Sequence, residues 1–409
     1  MNFDNLDCPL PENGKSIDAW ERDSKYIVKV FATSDLMQSF YEYSKCFYFA
    51  AHTTAKFLLT DAVHPVALDR YIFPLAFLYR HSIELIMKSI VFQYVHSDAE
   101  RTAFIKDTFH DLSAILKVVE NISQNRRPCN ELNWIRSYFA NISQVDKESD
   151  SFRYPFHLHK EKDNLVSLFR IKSVFNTQTP IDLVKFANKF EAAYEILTNW
   201  HLKNKSSSVE WLELQPSFIE TGGFYGSQAV VGYDYSREKF HPYTSAYLDT
   251  ANFFKHHMKE QFDLGKHSEV CQLFLPMCYL YRNSAELNLK ALWFEDSNED
   301  FHVRCEKMIN KKHSVLGLWN LIKSHELEYT ELEDGDNEFI KILDNYCRQL
   351  HVLDSDASRF RYPVQKNMQP YFNNNRRFDF MTVATFMEAL NNALDCIGSE
   401  WDYRKSLSY

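Results

Sequence analysis

Apolar residues recur at three- and four-residue spacing over long stretches of this chain, the period of a helix with one buried face. Residues 36–60, LMQSFYEYSKCFYFAAHTTAKFLLT, predict a long aromatic-rich helix, and YTSAYLDTANFFKHHMKEQFDLG at 243–265 predicts a second of the same kind. FPLAFLYRHSIELIMKSIVF, 73–92, is apolar almost throughout, with Pro74 near the helix start, where proline is tolerated. KDTFHDLSAILKVVENI, 106–122, reads as one further helix, with Asp107 or Thr108 as N-cap and Asp111 in its first turn. NELNWIRSYFANISQV and LVKFANKFEAAYEILTNWHLK complete the first half. Four or five helices per half predict an antiparallel bundle.

The pattern occurs twice. Tyr79, Arg80, Ser82, Glu84, Leu85 and Lys88 align with Tyr281, Arg282, Ser284, Glu286, Leu287 and Lys290 at an offset of 202. His110 aligns with His313 at 203, and Phe152-Arg153-Tyr154-Pro155 aligns with Phe360-Arg361-Tyr362-Pro363 at 208, with Asp146/Asp354 and Tyr138/Tyr346 on that register. IDLVKFANKFEAA and FDFMTVATFMEAL follow at 197. Preserved order with a small drift is what loop insertions leave. The expected class is all-α: two tandem antiparallel helical bundles. The divisions are a preamble at 1–35, a first unit at 36–205, a connector at 206–240 and a second unit at 241–409. The connector holds SSS at 206–208 and four of the nine glycines, and its VEWLEL and QAVVGYDY pieces predict a short hairpin. KYIVKVF predicts a strand in the preamble.

Composition narrows the class. Nine glycines in 409 residues are too few for a fold rich in tight turns, and no GxGxxG or GxxxxGK[ST] occurs. Aromatics at 15% supply a bulky core. The net charge of -9 falls entirely in the second half: residues 1–205 hold 25 basic and 25 acidic residues, residues 206–409 the other 21 and 30. Neither half is a basic module, so an anion site would have to be local. The eight cysteines form no CxxC, as expected of free thiols in a cytoplasmic protein, and no membrane span or signal peptide is predicted. Neither a metal site nor a cofactor is predicted. His157 and His159 follow the first FRYP, whereas Val364-Gln365-Lys366 follow the second, so no shared metal set emerges; His256-His257 reads as a solvated helix face.

The candidate chemistry lies in the repeated polar residues. Arg80, Glu84 and Lys88 share one helical stripe, as do Arg282, Glu286 and Lys290. Each stripe is either a buried ion-pair ladder or the wall of an anion-binding groove. Arg153 and Arg361 suit bidentate phosphate contacts, and Tyr154 and Tyr362 add a hydroxyl and a stacking face. The structural alternative pairs Arg153 and Arg361 with Glu84 and Glu286. His110 and His313 are either capping residues or proton-transfer groups.

The pairing of YRHSIELIMK with HDLSAIL, and of YRNSAELNLK with HSVLGLWNLI, resembles the HEPN superfamily over most of each unit. The resemblance implies helical bundles that pair as dimers, here within one chain, and a metal-independent endoribonuclease of toxin–antitoxin, abortive-infection or phage-defence systems. The family's nuclease motif is an Arg with a His about four to six positions after it. Arg80-His81 and Arg282-Asn283 match its opening, but Leu85, Ile86, Met87 and Leu287, Asn288, Leu289 stand where the His would be. Cleavage would then take its His from His110 or His313. On this reading Arg80, His110, Arg282 and His313 are catalytic, and Glu84, Lys88, Arg153, Tyr154, Glu286, Lys290, Arg361 and Tyr362 bind substrate. The ligand would be RNA, tRNA included, or a nucleotide. The alternatives are a non-catalytic helical scaffold whose acidic second unit docks a protein partner and, third, a nucleotide-sensing module. A homodimer is compatible with each.

Overall fold

The computed structural model describes residues 8–19, 24–30, 35–60, 65–123, 128–162, 167–204, 213–233, 239–297, 299–329 and 334–407. Among them the chain is 66% helix, in twelve helices, with only small antiparallel strand pairs. In order these are β1 (Ile27–Val30), α1 (Leu36–Leu58), α2 (Pro65–Phe92), α3 (Asp98–Thr108), α4 (Leu112–Ser123), α5 (Cys129–Val145), β2 (Phe156–Lys162), β3 (Ser167–Ser173), β4 (Thr179–Asp182) and α6 (Leu183–Leu202). The second half continues with β5 (Gln228–Val231), α7 (His241–Asp263), α8 (His267–Ala291), α9 (Phe301–Lys311), α10 (Val315–Tyr329), α11 (Asp334–Leu353), β6 (Arg376–Asp379) and α12 (Phe380–Leu407).

α2 and α8 form the centre. Residues 72–92 and 273–290 are buried without interruption, which is why their apolar pattern has no polar face. α2 packs on α1, α6 and α7, and α8 packs on α7, α12 and α1. The aromatic residues fill the seam between the halves: Phe77 stacks on Tyr279 at 4.6 Å, Phe73 on Tyr243 at 3.9 Å and Phe57 on Phe253 at 4.3 Å.

Two of the three strand pairs tie the halves together crosswise, while β2 and β3 form a local hairpin within the first half. β1, just before α1, pairs with β6, just before α12, and Ile27 lies opposite Asp379. β5, in the connector before α7, pairs with β4, just before α6, and Gln228 lies opposite Asp182. The two registers are the same. In each pair the closing aspartate caps the next helix: Asp182 accepts from the amides of Val184 and Lys185, and Asp379 from those of Met381 and Thr382. β1 then packs on α8, and β5 on α2.

Three expectations change. β5 pairs with β4; most of VEWLEL, at 209–212, and SSS lie outside the described residues, so the expected connector hairpin lies there too. Pro74 lies inside α2, and Pro276 lies inside α8. The segment 106–122 is two helices broken at Phe109–Asp111, and Asp111 is itself the cap, accepting from the amides of Ser113 and Ala114. Among the described residues each half therefore shows six helices, not four or five.

Candidate functional site

The repeated polar residues converge on two clusters built alike. In the first, Glu84 is fully buried on α2. Its carboxylate accepts from Lys88 Nζ at 2.6 Å and Arg80 Nη1 at 3.1 Å, one turn to either side. His110 Nδ1 lies 3.1 Å from the same carboxylate. Tyr362, from the other half of the chain, donates its hydroxyl to Glu84 Oε1 at 2.8 Å. In the second cluster Glu286 accepts from Arg282, from Lys290 at 2.7 Å and from His313 Nδ1 at 2.9 Å. Its tyrosine is Tyr154, at 2.9 Å, again from the opposite half. Each FRYP segment thus completes the glutamate cluster in the other half of the chain. Two further bonds cross the same seam: Tyr247 donates its hydroxyl to the Phe152 carbonyl at 3.1 Å, and His81 Nε2 lies 3.1 Å from the Arg361 carbonyl.

Arg80 and Arg282 are buried and do not line the cavity described below. They are 1% and 0% exposed. Arg80 spends its nitrogens on Glu84, on Asp146 at 3.2 Å and on the carbonyls of His110 and Lys147. Arg282 does the same with Glu286 and the His313 carbonyl. A buried charge needs this degree of pairing. Each arginine so fixes the backbone of the histidine. The residue before that histidine is held in an unusual conformation, Phe109 at φ 42°, ψ -108° and Lys312 at φ 52°, ψ -112°. Such backbone costs about 1–3 kcal/mol per residue and persists only where surrounding contacts enforce it.

The electrostatics follow from burial against charge. For Glu84 burial pushes the carboxyl up, but Lys88 and His110 outweigh it and hold it well below the usual carboxylate range. Glu286 is held down in the same way, against burial, by Lys290, His313 and Arg282. Burial lowers His110 below its ordinary value despite Glu84. For His313 the Glu286 charge pulls upward, and burial with Lys290 and Arg153 brings the ring below its ordinary value. Burial, then the glutamates, raise Tyr362 and Tyr154 far above the usual phenol range, so both remain hydroxyl donors. At neutral pH each cluster is a carboxylate holding a neutral imidazole by Nδ1, with Nε2 the other ring nitrogen.

Both histidines line one cavity of about 440 Å³. Lys88, Arg153 and Arg361 line it as well, and Lys106, Lys311, Lys312 and Lys366 add to its charge. Against these seven cations its lining holds one acid, Asp356. A chain of net charge -9 therefore concentrates positive charge here. A second cavity of about 330 Å³ is also lined by His313, together with Tyr154, Lys290 and His157.

Arg153 and Arg361 do not bond Glu84 and Glu286. Each donates Nε to the carbonyl four residues earlier, Ser149 and Ala357, both at 2.6 Å. Those carbonyls belong to residues at φ 62° and 63°, in turns closed by Asp146 and Asp354. Asp146 and Asp354 shared the repeat register but carried no assigned role, and the four rim lysines gave no motif. Among the described residues no cluster of three or more His, Cys, Asp or Glu is arranged to hold a metal ion. The chain matches no protein-family model, no curated protein and no solved structure.

Proposed function

We propose that this cavity binds RNA and cleaves its phosphodiester backbone without a metal. The observation that carries the reading is the convergence of two Glu–His pairs and two arginines on one cationic cavity. The resemblance to HEPN domains supports it, with the histidines supplied from outside the family's motif. In the reaction one neutral imidazole takes the 2′-hydroxyl proton through Nε2. The 2′-oxygen attacks phosphorus, the bond to the 5′-oxygen breaks, and that oxygen takes a proton from the other, protonated, imidazole. A 2′,3′-cyclic phosphate and a 5′-hydroxyl result. The cavity cations stabilise the charge that builds on the phosphoryl oxygens.

The test incubates labelled RNA with purified protein in EDTA, beside His110→Ala and His313→Ala variants shown to fold. Cleavage by wild type that is lost in both variants supports the proposal. Absence of both cleavage and RNA retention overturns it and favours the scaffold. That alternative draws on the full burial of Arg80, Glu84, Arg282 and Glu286 and on the ion pair each arginine makes with its glutamate.

A further inference from the structure

We infer that Arg153 and Arg361 together form a single phosphate seat, one per molecule, for the phosphate of an unpaired nucleotide. The nucleotide part rests on the RNA reading; the phosphate part does not. Both arginines are 95% buried by residue, at 5% exposure each, and both line the 440 Å³ cavity. Neither makes an ion pair among the described residues, and Nη1 of each is buried with no hydrogen-bond partner. A guanidinium stays charged at any physiological pH, so two buried donors without acceptors are costly unless an anion completes them.

Their placement is fixed on every other side. Nε is tied to the Ser149 or Ala357 carbonyl, and the left-handed backbone of those two non-glycine residues is what aims the carbonyl. The planes are held against rings: Arg153 over Tyr154 at 5.0 Å and Phe77 at 5.9 Å, Arg361 over Tyr362 at 5.3 Å and Tyr279 at 5.4 Å. Phe77 and Tyr279 are the stacked pair at the seam, so the two arginines rest against one stack of rings. Two fixed forks sharing one cavity suit one tetrahedral anion with several acceptor oxygens.

Size selects the rest of the ligand. A cavity of about 440 Å³ has room for a nucleotide-sized group. It does not admit an A-form duplex, whose bases are stacked inside, so the target is a loop, an end or a single strand.

The experiment titrates full-length wild type, Arg153→Gln, Arg361→Gln and Arg361→Lys with four probes. These are inorganic phosphate, AMP, a short single-stranded oligoribonucleotide and a blunt RNA duplex, read by calorimetry and by shift in melting temperature. Wild type should bind phosphate with a stoichiometry of one, and phosphate should compete with the single strand. Each Gln variant should bind phosphate about 10- to 100-fold more weakly, the loss expected for one charged hydrogen-bonding partner, with Arg361→Lys between. Wild type that neither binds phosphate nor is stabilised by it overturns the seat, even if a Gln variant fails to fold. RNA bound equally by wild type and folded Gln variants also overturns it, while leaving the RNA reading standing. Phosphate and AMP bound with no affinity for RNA keeps the seat and removes the RNA reading.

Discussion

The crossed tyrosines allow a sharp energetic test. Glu84 Oε1 accepts from Lys88, Tyr362 and His110, and Oε2 accepts from Arg80. Tyr362→Phe keeps the ring and removes one hydroxyl donor at 2.8 Å from a fully buried carboxylate. A hydrogen bond to a charged group contributes about 1.5–3 kcal/mol, and the three donors that remain place this loss near the lower end. Glu84→Gln alone costs more, on the order of 3–5 kcal/mol, because Lys88 then lacks its anion and Arg80 keeps only Asp146. A double-mutant cycle removes these single-site costs. Tyr362→Phe with Glu84→Gln should couple by about 1–2 kcal/mol, whereas Tyr362→Phe with Glu286→Gln, the same-half pair, should couple by less than about 0.5 kcal/mol. Urea unfolding at pH 7 provides the free energies. Coupling of Tyr362 to Glu286 in place of Glu84 would refute the exchange.

Other expected outcomes can be checked alongside. His81, His110, His201 and His313 are all lowered in the folded chain, chiefly by burial except at His313, and His201 falls to about 4. The unfolded chain therefore binds more protons below about pH 6.5, and stability should fall on acidification from pH 7, by about 1.4 kcal/mol per unit of lowering for each group; His157, raised by Asp150, opposes this in part. Melting temperature against pH reads the sum, and a flat profile between pH 7 and 5 would contradict it. With His110 and His313 both lowered, one neutral and one protonated ring coexist best below pH 6.5, so the rate of the proposed RNA cleavage should peak there and decline above it. Asp182→Ala and Asp379→Ala each remove a helix cap and should cost about 1 kcal/mol in urea unfolding. Gly232→Ala should cost about 1–3 kcal/mol, because φ is 86° there and a Cβ would collide with the Thr177 carbonyl.

The residues that build the two glutamate clusters stood out because the same residue types recur at nearly constant offset. The helices around them were legible because aromatic and aliphatic residues keep a helical period. Crossing was not legible. Both copies carry the same glutamate and the same FRYP, so spacing alone does not say whether Tyr154 meets Glu84 or Glu286. The pairings of β1 with β6 and β5 with β4 join one half to the other, and four-residue strands leave little trace in a helical sequence. The break at Phe109–Asp111 was hidden because neither Phe nor Lys marks a positive φ, and Asp111 was read as a first-turn acid when it is the cap. Treating the stripes as one object also misled. Arg80 and Glu84 belong to a buried ladder, while Lys88 at the end of the same ladder reaches the cavity.

The central claim is that the shared cavity performs phosphodiester cleavage with two histidines. Its most direct test uses one end-labelled single-stranded RNA in EDTA, next to the same strand carrying a 2′-deoxy residue at the cleaved position. The account predicts products ending in a 2′,3′-cyclic phosphate, no cut at the deoxy position, and loss of cleavage in both His110→Ala and His313→Ala. Cleavage that persists at the deoxy position, or that survives both substitutions in folded protein, would contradict it.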